Sequence, residues 1–318
     1  MLKLYYFLIF KRTLINVYYF FQVSVPELIK KQNFLKKNSI YLLVELFIVR
    51  VFYSNYFFRN LKKSKFLIYK KNDDQKLFQE RYNTHQIQTE TFSNFEKKGF
   101  EELGNLDSLF LEKLKEEIFP GISKYNNQTG YYKSLIENES TQTGRLIIKP
   151  NNSLKNISSI FNSELIQNIT KNYLGSTNIS YSSNVFISYN FPNISKKETN
   201  KNGQVYHIDC RYKKFYKIFI YLNDVNYENG AHHFIKNSHK TKPINFSSLR
   251  LYEDEVVEKN FQDDLVIFEG KEGKVFLEDT FGLHKSGYIQ NGIRSILVLE
   301  IGNGNIRYDK EDILIKKI

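Results

Sequence analysis

The second half of the chain consists of short apolar or alternating runs that turn residues interrupt every few positions. No helical pattern separates one run from the next, and none is as long as an ordinary helix. Strands joined without intervening helices pair antiparallel, so we expect an antiparallel sandwich or jelly roll. The runs predicted as strands are Asn184–Asn190, Gln204–Cys210, Phe215–Leu222, His233–Lys236, Asp264–Phe268, Lys274–Leu277, His284–Ile289 and Arg294–Ile301.

The preceding segment adds helices to this mainly β fold. The stretch from Thr91 to Tyr125 predicts a short strand, a turn and an amphipathic helix that begins near Ser108 and ends near Pro120. Residues 126–180 are polar and rich in Asn, and their pattern indicates no particular element. We therefore predict an α+β chain whose jelly roll carries flanking helices.

The charge divides the chain into two regions. Residues 1–70 carry 13 basic and two acidic residues, and they contain 18 of the 50 aromatic residues. The formal net charge is +12, so the other 248 residues contribute only +1. We predict a basic, aromatic leader at residues 1–70, partly helical, and a globular domain at residues 71–318.

The leader fits two kinds of surface. Its first apolar run, Leu4–Phe10, is short, basic residues follow at once, and no small-residue cleavage site is present, so secretion is not expected. For a membrane-spanning helix at residues 39–58, the summed insertion free energy is near zero, because the cost of inserting Glu45 and Arg50 offsets the gain from the apolar residues. The leader either lies peripherally on an anionic membrane or packs on the body. With one cysteine in the chain, we expect a cytoplasmic protein that reaches the membrane at most peripherally.

Two histidines and an aspartate have the spacing of metal ligands. On an extended strand, His207 and Asp209 project to the same side, about 6 to 7 Å apart. His284 on a distant predicted strand can complete a triad of two imidazoles and one carboxylate, which holds Fe(II) and leaves coordination positions open. Arg294 follows ten residues later, and its planar guanidinium suits a carboxylate.

The motifs around these residues resemble the phytanoyl-CoA dioxygenase (PhyH) family of iron(II)- and 2-oxoglutarate-dependent oxygenases. QVYHID at 204–209 is similar to the family's QxWHxD, and KIFIYLNDV at 217–225 to its KxFxYLxDV strand. ENG at 228–230 with NSHK at 237–240 is similar to its ENGP and GSHK loop, and Asp279 to Arg294 to its closing segment. The resemblance covers roughly residues 90–305. Tyr206 and Ala231 depart from the pattern, where the family has Trp and Pro.

The resemblance implies a cupin-like double-stranded β-helix with iron inside. It implies His207, Asp209 and His284 as iron ligands, Arg294 as the partner of the distal carboxylate of 2-oxoglutarate, and Gln204 as a polar contact of this cosubstrate. The implied activity is a dioxygenase reaction in which O2 and 2-oxoglutarate drive hydroxylation of a small-molecule or lipid-like substrate.

A different class of function stays open at this point. The chain could be a noncatalytic jelly-roll binding module that its basic leader recruits to a membrane or a partner. Nucleic-acid binding is not expected, because the body adds almost no positive charge and carries no nucleic-acid motif.

Other polar residues have plainer interpretations. We expect His232 and His233 to pack in a loop or lid, and His239 to be the one of these three that reaches the pocket. Lys217 is interpreted as a solvated strand end, and Cys210 as a small core residue facing away from the ligands.

The pair Asn291-Gly292 invites a two-residue hairpin turn. Such a turn would place His284 and Arg294 on opposite faces. We therefore predict an odd-length hairpin loop with Gln290 opposite Arg294, or a bulge near Gly287.

Overall fold

The computed structural model describes residues 10–11, 13–18, 20–21, 47, 85–122, 128–138, 144–175, 179–190, 203–209, 214–246, 251–303 and 315–317. Most of the leader predicted at residues 1–70 lies outside these residues, as does Cys210. The described leader residues between 10 and 18 are helical, as the sequence predicted. In the described part of the chain, no helix has both the length and the apolar character needed to cross a membrane.

From residue 85 onward, helices lead and strands follow. The helices are α1 (His85–Lys98), α2 (Ser108–Ile118), α3 (Gln128–Asn138), α4 (Lys155–Phe161), α5 (Glu164–Leu174) and α6 (Asp254–Asn260). The strands are β1 (Phe100–Asn105), β2 (Arg145–Lys149), β3 (Ile179–Tyr189), β4 (Phe215–Tyr221), β5 (His232–Ile235), β6 (Leu265–Phe268), β7 (Lys274–Glu278), β8 (His284–Ser286), β9 (Ile293–Asn303) and β10 (Ile315–Lys317). Short 3-10 turns at Ile244–Phe246 and Gln262–Asp264 flank α6.

A seven-stranded sheet in the order β1-β7-β4-β9-β3-β2-β10 forms the larger layer. Its neighbours are antiparallel except for the β2 and β10 pair, and β3 and β9 pair over eleven residues. Alternate residues such as Ile187 and Leu297 are buried on its outer face together with Ile166 and Ile169 of α5. The helices therefore cover this face, which leaves the other face for a second layer.

A three-stranded sheet in the order β6-β5-β8 faces the inner side of the larger sheet. Phe234 and Phe268 of the small sheet are buried with Phe219, Phe276 and Val298 of the large one. The rings of Phe268 and Phe276 stack with centroids 4.3 Å apart. The two sheets thus share an inner core, and the antiparallel, sheet-rich α+β architecture predicted from the sequence is confirmed.

The helix predicted from Ser108 is confirmed as α2, whose first turn is capped by the Asp107 carboxylate accepting from the Phe110 amide at 3.0 Å. The strand predicted near Thr91 begins only at Phe100, because residues 85–98 form α1. Thr91 and Phe95, one helical turn apart, are both buried. Their spacing of four residues is typical of a helix, which the sequence interpretation missed.

The uninterpreted stretch at residues 126–180 contains α3, β2, α4, α5 and the start of β3. Its apolar residues have helical spacing, as Leu165, Ile169 and Tyr173 of α5 show, but many Asn and Ser residues between them hide the pattern. In the region predicted as strand Gln204–Cys210, residues 203–209 form only isolated bridges, at Tyr206 and His207.

The predicted hairpin before Arg294 is wrong. Strand β8 pairs with β5 in the small sheet, whereas β9 pairs with β3 and β4 in the large sheet, so residues 287–292 connect two sheets. Neither an odd-length hairpin loop nor a hairpin bulge exists there. The Gly287 amide donates to the Ala231 carbonyl oxygen at 3.0 Å, and a Cβ at this position would lie 2.6 Å from the same oxygen, so the connection needs glycine.

Candidate metal and cosubstrate site

The three predicted metal ligands come together between the two sheets. Antiparallel hydrogen bonds of 3.0 and 3.1 Å join the backbones of His207 and His284, and the Asp209 amide donates to the Thr280 carbonyl at 2.8 Å. His207 Nε2 lies 3.9 Å from Asp209 Oδ1, and His284 Nε2 lies 3.4 Å from Asp209 Oδ2. One donor atom from each residue falls within 4.8 Å of the others, which is close enough for a shared ion.

Backbone carbonyl groups orient both imidazoles of the triad. His207 Nδ1 lies 2.8 Å from the Val205 carbonyl oxygen and His284 Nδ1 lies 3.0 Å from the Gly282 carbonyl oxygen. Nδ1–H donates in both cases, because a carbonyl can only accept, so each Nε2 points away from the backbone. Burial, with the neighbouring His284, lowers the pKa of His207 to about 4. Two imidazoles and a carboxylate are the donor set that suits ferrous iron.

The Asp209 carboxylate is held ionised. Burial favours its neutral form, but the Lys217 ammonium and the two imidazoles outweigh burial and hold the pKa of Asp209 well below its usual range. Lys217 Nζ lies 2.5 Å from Asp209 Oδ2 and 3.5 Å from Glu300 Oε2. The interpretation of Lys217 as a solvated strand end is therefore wrong.

Arg294 is buried on the inner face of β9, where the pairing of β3 with β9 sets it opposite Ser188. Its guanidinium donates to the Gly230 carbonyl through Nη1 and to Ser188 Oγ through Nη2. Its Nε is buried without a hydrogen-bond partner, and no described Asp or Glu forms an ion pair with it. Burial lowers the pKa of Arg294 to about 10, so the charge is costly to keep without an anion.

Gln204 is also buried, and its Oε1 has no hydrogen-bond partner. Buried polar atoms are normally paired, so these two orphaned atoms mark places where a polar ligand completes the hydrogen bonding. Arg294 Nε is a donor and suits a carboxylate, whereas Gln204 Oε1 can only accept and needs a donor as its partner.

Arg145 was not predicted. It lies opposite Ser188 in the pairing of β2 with β3, so Arg145, Ser188 and Arg294 form one row across three strands. Arg145 Nε donates to Ser188 Oγ at 3.2 Å and Nη2 donates to Ser286 Oγ at 3.4 Å. Burial and the charge of Arg294 lower the pKa of Arg145 to about 9. Ser286 follows His284 by two residues on β8, which links this row to the triad.

His232 and Glu278 lie behind the triad. The rings of His232 and His284 stack with centroids 5.8 Å apart, and His232 Nε2 lies 2.9 Å from Glu278 Oε2. Burial raises the pKa of Glu278 well above its usual range and lowers the pKa of His232 well below it. The pair is therefore a neutral acid that donates to a neutral imidazole.

His239 was expected to reach the pocket, but its Nε2 instead lies 3.0 Å from the Glu96 carbonyl oxygen of α1. His232 takes the inner place because β5 alternates, which turns His233 outward toward Tyr206. Because His232 and His233 are adjacent, the sequence alone does not show which of them faces the interior.

Several solved structures are similar to this chain. AviO1 from Streptomyces viridochromogenes Tue57 matches at 15% identity and a TM-score of 0.45, over 69% of this chain and 96% of that one. HygX from Streptomyces hygroscopicus, solved with nickel and 2-oxoglutarate bound, matches at 11% identity and a TM-score of 0.44, over 67% and 86%. The epimerase SnoN, solved with Fe3+, alpha ketoglutarate and nogalamycin RO, matches at 11% identity and a TM-score of 0.47, over 69% and 85%.

No family model matches the chain, and no curated protein is significantly similar to it. The structural likenesses are too distant to assign an activity.

Proposed function

We propose that the chain is an Fe(II)- and 2-oxoglutarate-dependent oxygenase with the double-stranded β-helix architecture of such enzymes. A single observation carries this proposal. The triad of His207, Asp209 and His284 shares the interior between the sheets with a buried arginine, Arg294, that forms no ion pair with a described carboxylate. The interior thus offers donors for a divalent metal and, separately, a partner for an anion.

The residues present fit the metal and the cosubstrate. His207, Asp209 and His284 would hold Fe(II), which when bound with 2-oxoglutarate supplies O2 activation for substrate oxidation. Arg294 would bind the distal carboxylate of 2-oxoglutarate, and Gln204 Oε1 would accept a hydrogen bond from a nearby donor. Arg145 would contribute a second guanidinium to the carboxylate site, because it shares the Ser188 hydroxyl with Arg294.

The side chains of the protein would contribute to catalysis by positioning the metal ligands and by excluding water from the interior. The aromatic core of Phe219, Phe276 and Phe268 closes the interior on one side and keeps water from it. The hydrogen bonds from both histidine Nδ1 atoms to carbonyl groups fix the imidazole rings. Hydroxylation of a small-molecule or lipid-like substrate is the reaction that we propose, with cytoplasmic O2 as co-reactant.

Anaerobic titration tests this function against the alternative of a noncatalytic binding module. The oxygenase should bind Fe(II) and 2-oxoglutarate together with a visible charge-transfer band, and on exposure to O2 should release succinate. A binding module would show neither the band nor succinate at stoichiometric metal. Absence of the band in fully folded protein would overturn the proposal.

We also propose that the leader binds an anionic membrane surface. The side chains of Phe10, Leu14, Tyr18 and Phe21 follow one another at helical spacing, and each is 52% to 62% exposed. Spacings of four, four and three residues place them on one face of a helix. An exposed apolar face within a segment that carries 13 basic and two acidic residues matches the interfacial region of an anionic bilayer.

Sedimentation with phosphatidylserine vesicles tests the leader in the full chain. The triple substitution Phe10→Asn, Leu14→Asn and Phe21→Asn should leave the protein in the supernatant. Leu109→Asn is the matched control, since Leu109 is an apolar residue of α2 with an exposed fraction of 57%. Equal sedimentation of the triple variant and the control would show that this face does not bind membrane.

A further inference from the structure

A lysine of the large sheet contacts the aspartate of the triad from within the core. The Lys217 side chain is 14% exposed, and its Nζ lies 2.5 Å from Asp209 Oδ2. Strand β4 fixes its direction, because Lys217 pairs with Glu278 of β7 on one side and with Glu300 of β9 on the other. Residues directly opposite in antiparallel pairs share a face, so all three point into the interior.

The choice of partner is informative. Lys217 has an acidic residue on each side within its own sheet, yet its shortest ionic contact is with Asp209 on the separate segment 203–209. Glu278 is bound to His232 and is held as a neutral acid by burial. The positive charge of Lys217 is therefore directed to the metal-binding carboxylate.

We infer that Lys217 is a positioning residue of the metal centre that favours Fe(II) over Fe(III). This inference rests on the proposed function. The ammonium donates to Asp209 Oδ2, which restrains the carboxylate, and it places a fixed positive charge beside the group that would hold the metal. Repulsion from a fixed charge grows with the charge of the metal, so the trivalent state is penalised more than the divalent state.

An oxygenase of this kind must keep its resting metal ferrous, so such a bias has a functional use. A lysine that only stabilised the fold would act equally on the protein with Fe(II) and with Fe(III). The ratio of the two affinities separates these roles, because folding energy common to both states cancels from it.

The experiment compares Lys217→Met with Lys217→Arg in the full chain. Fe(II) affinity is measured anaerobically, and Fe(III) affinity by competition with citrate. Loss of the charge should raise the ratio of Fe(III) to Fe(II) affinity at least about tenfold, which lowers the one-electron potential by about 59 mV. Lys217→Arg keeps charge and donors and should match the wild type.

Lys274→Met is the matched control. Lys274 is 15% exposed and its Nζ lies 2.8 Å from Glu102 Oε2, so it is a similarly buried lysine in an ion pair of the same sheet. It lies at the start of β7, away from the triad, and its loss should leave the affinity ratio unchanged. If Lys217→Met does not fold by circular dichroism, Lys217→Gln carries the same expectation.

Two failures are distinguishable. A wild-type protein that binds Fe(II) and 2-oxoglutarate, with an affinity ratio that Lys217→Met leaves unchanged, overturns the role of Lys217 alone. A folded wild-type protein that binds no iron rejects the proposed function, and the inference about Lys217 with it.

Discussion

The two ends of the interior solve opposite electrostatic problems. At the metal end, the Asp209 carboxylate is already balanced by Lys217, and the imidazole of His207 is neutral. At the arginine end, Arg145 and Arg294 converge on one serine hydroxyl, and Arg294 forms no ion pair with a described acid. The first end offers lone pairs to a cation, and the second end needs an anion. A metal chelated by a dicarboxylate would satisfy both ends at once.

Removal of a proposed metal ligand should produce the largest effect of these substitutions, and the property lost should be Fe(II) binding. His284→Ala removes one of two imidazoles, and a triad reduced to two ligands should lose Fe(II) binding. Anaerobic equilibrium dialysis measures this. His233→Phe, on the opposite face of the small sheet, is the control that should bind normally. Tight stoichiometric iron in His284→Ala would show that the ligand assignment is wrong.

Removal of the buried arginine should act on the other end. Arg294→Ala leaves the cosubstrate carboxylate without its charged partner, which costs about 2 to 5 kcal/mol, or at least roughly 30-fold in 2-oxoglutarate affinity. Fe(II) affinity should change little. Calorimetry with Mn(II)-loaded protein measures the 2-oxoglutarate affinity, and anaerobic equilibrium dialysis measures the Fe(II) affinity. Unchanged 2-oxoglutarate binding would remove Arg294 from the site.

Loss of the second guanidinium should have a smaller effect in the same direction. A hydrogen bond to a charged group contributes about 1.5 to 3 kcal/mol, so Arg145→Met should weaken 2-oxoglutarate by roughly 10- to 100-fold. Pyruvate has no distal carboxylate, and its binding should be the same in wild type and variant. Equal weakening of pyruvate and 2-oxoglutarate would place Arg145 elsewhere in the interior.

The smallest effect should come from the shared hydroxyl. The Ser188 hydroxyl accepts a hydrogen bond from each of the two guanidinium groups. Ser188→Ala should reduce 2-oxoglutarate affinity only a few-fold, in line with about 0.5 to 1.5 kcal/mol for one neutral acceptor. A loss as large as that of Arg294→Ala would mean that Ser188 positions both arginines.

The proximity of the three proposed metal ligands could be predicted from the sequence, whereas much of the arginine end could not. His207 and Asp209 are two residues apart, so their common direction follows from the extended chain alone. Arg145 precedes them by more than sixty residues, and only the order β2-β3-β9 brings it beside Arg294. Nothing local to residue 145 indicates this, because strand order is a property of the whole sheet.

Lys217 illustrates a second limit. Its place at the start of a strand was correctly expected, but a strand has two faces, and the choice between interior and solvent depends on which sheet packs opposite. The prediction of a hairpin between His284 and Arg294 failed for a related reason. Asn291-Gly292 suits a hairpin turn, yet β8 and β9 belong to different sheets, a fact that local turn chemistry does not contain.

The most direct test of the account is whether one ligand connects the two ends. The affinity for 2-oxoglutarate is measured by calorimetry with and without Mn(II), and glutarate, which lacks the keto group, serves as the control. Chelation should make the metal tighten 2-oxoglutarate by about 10- to 100-fold and leave glutarate unchanged. Equal affinity for 2-oxoglutarate with and without metal would contradict the claim that the triad and Arg294 form one site.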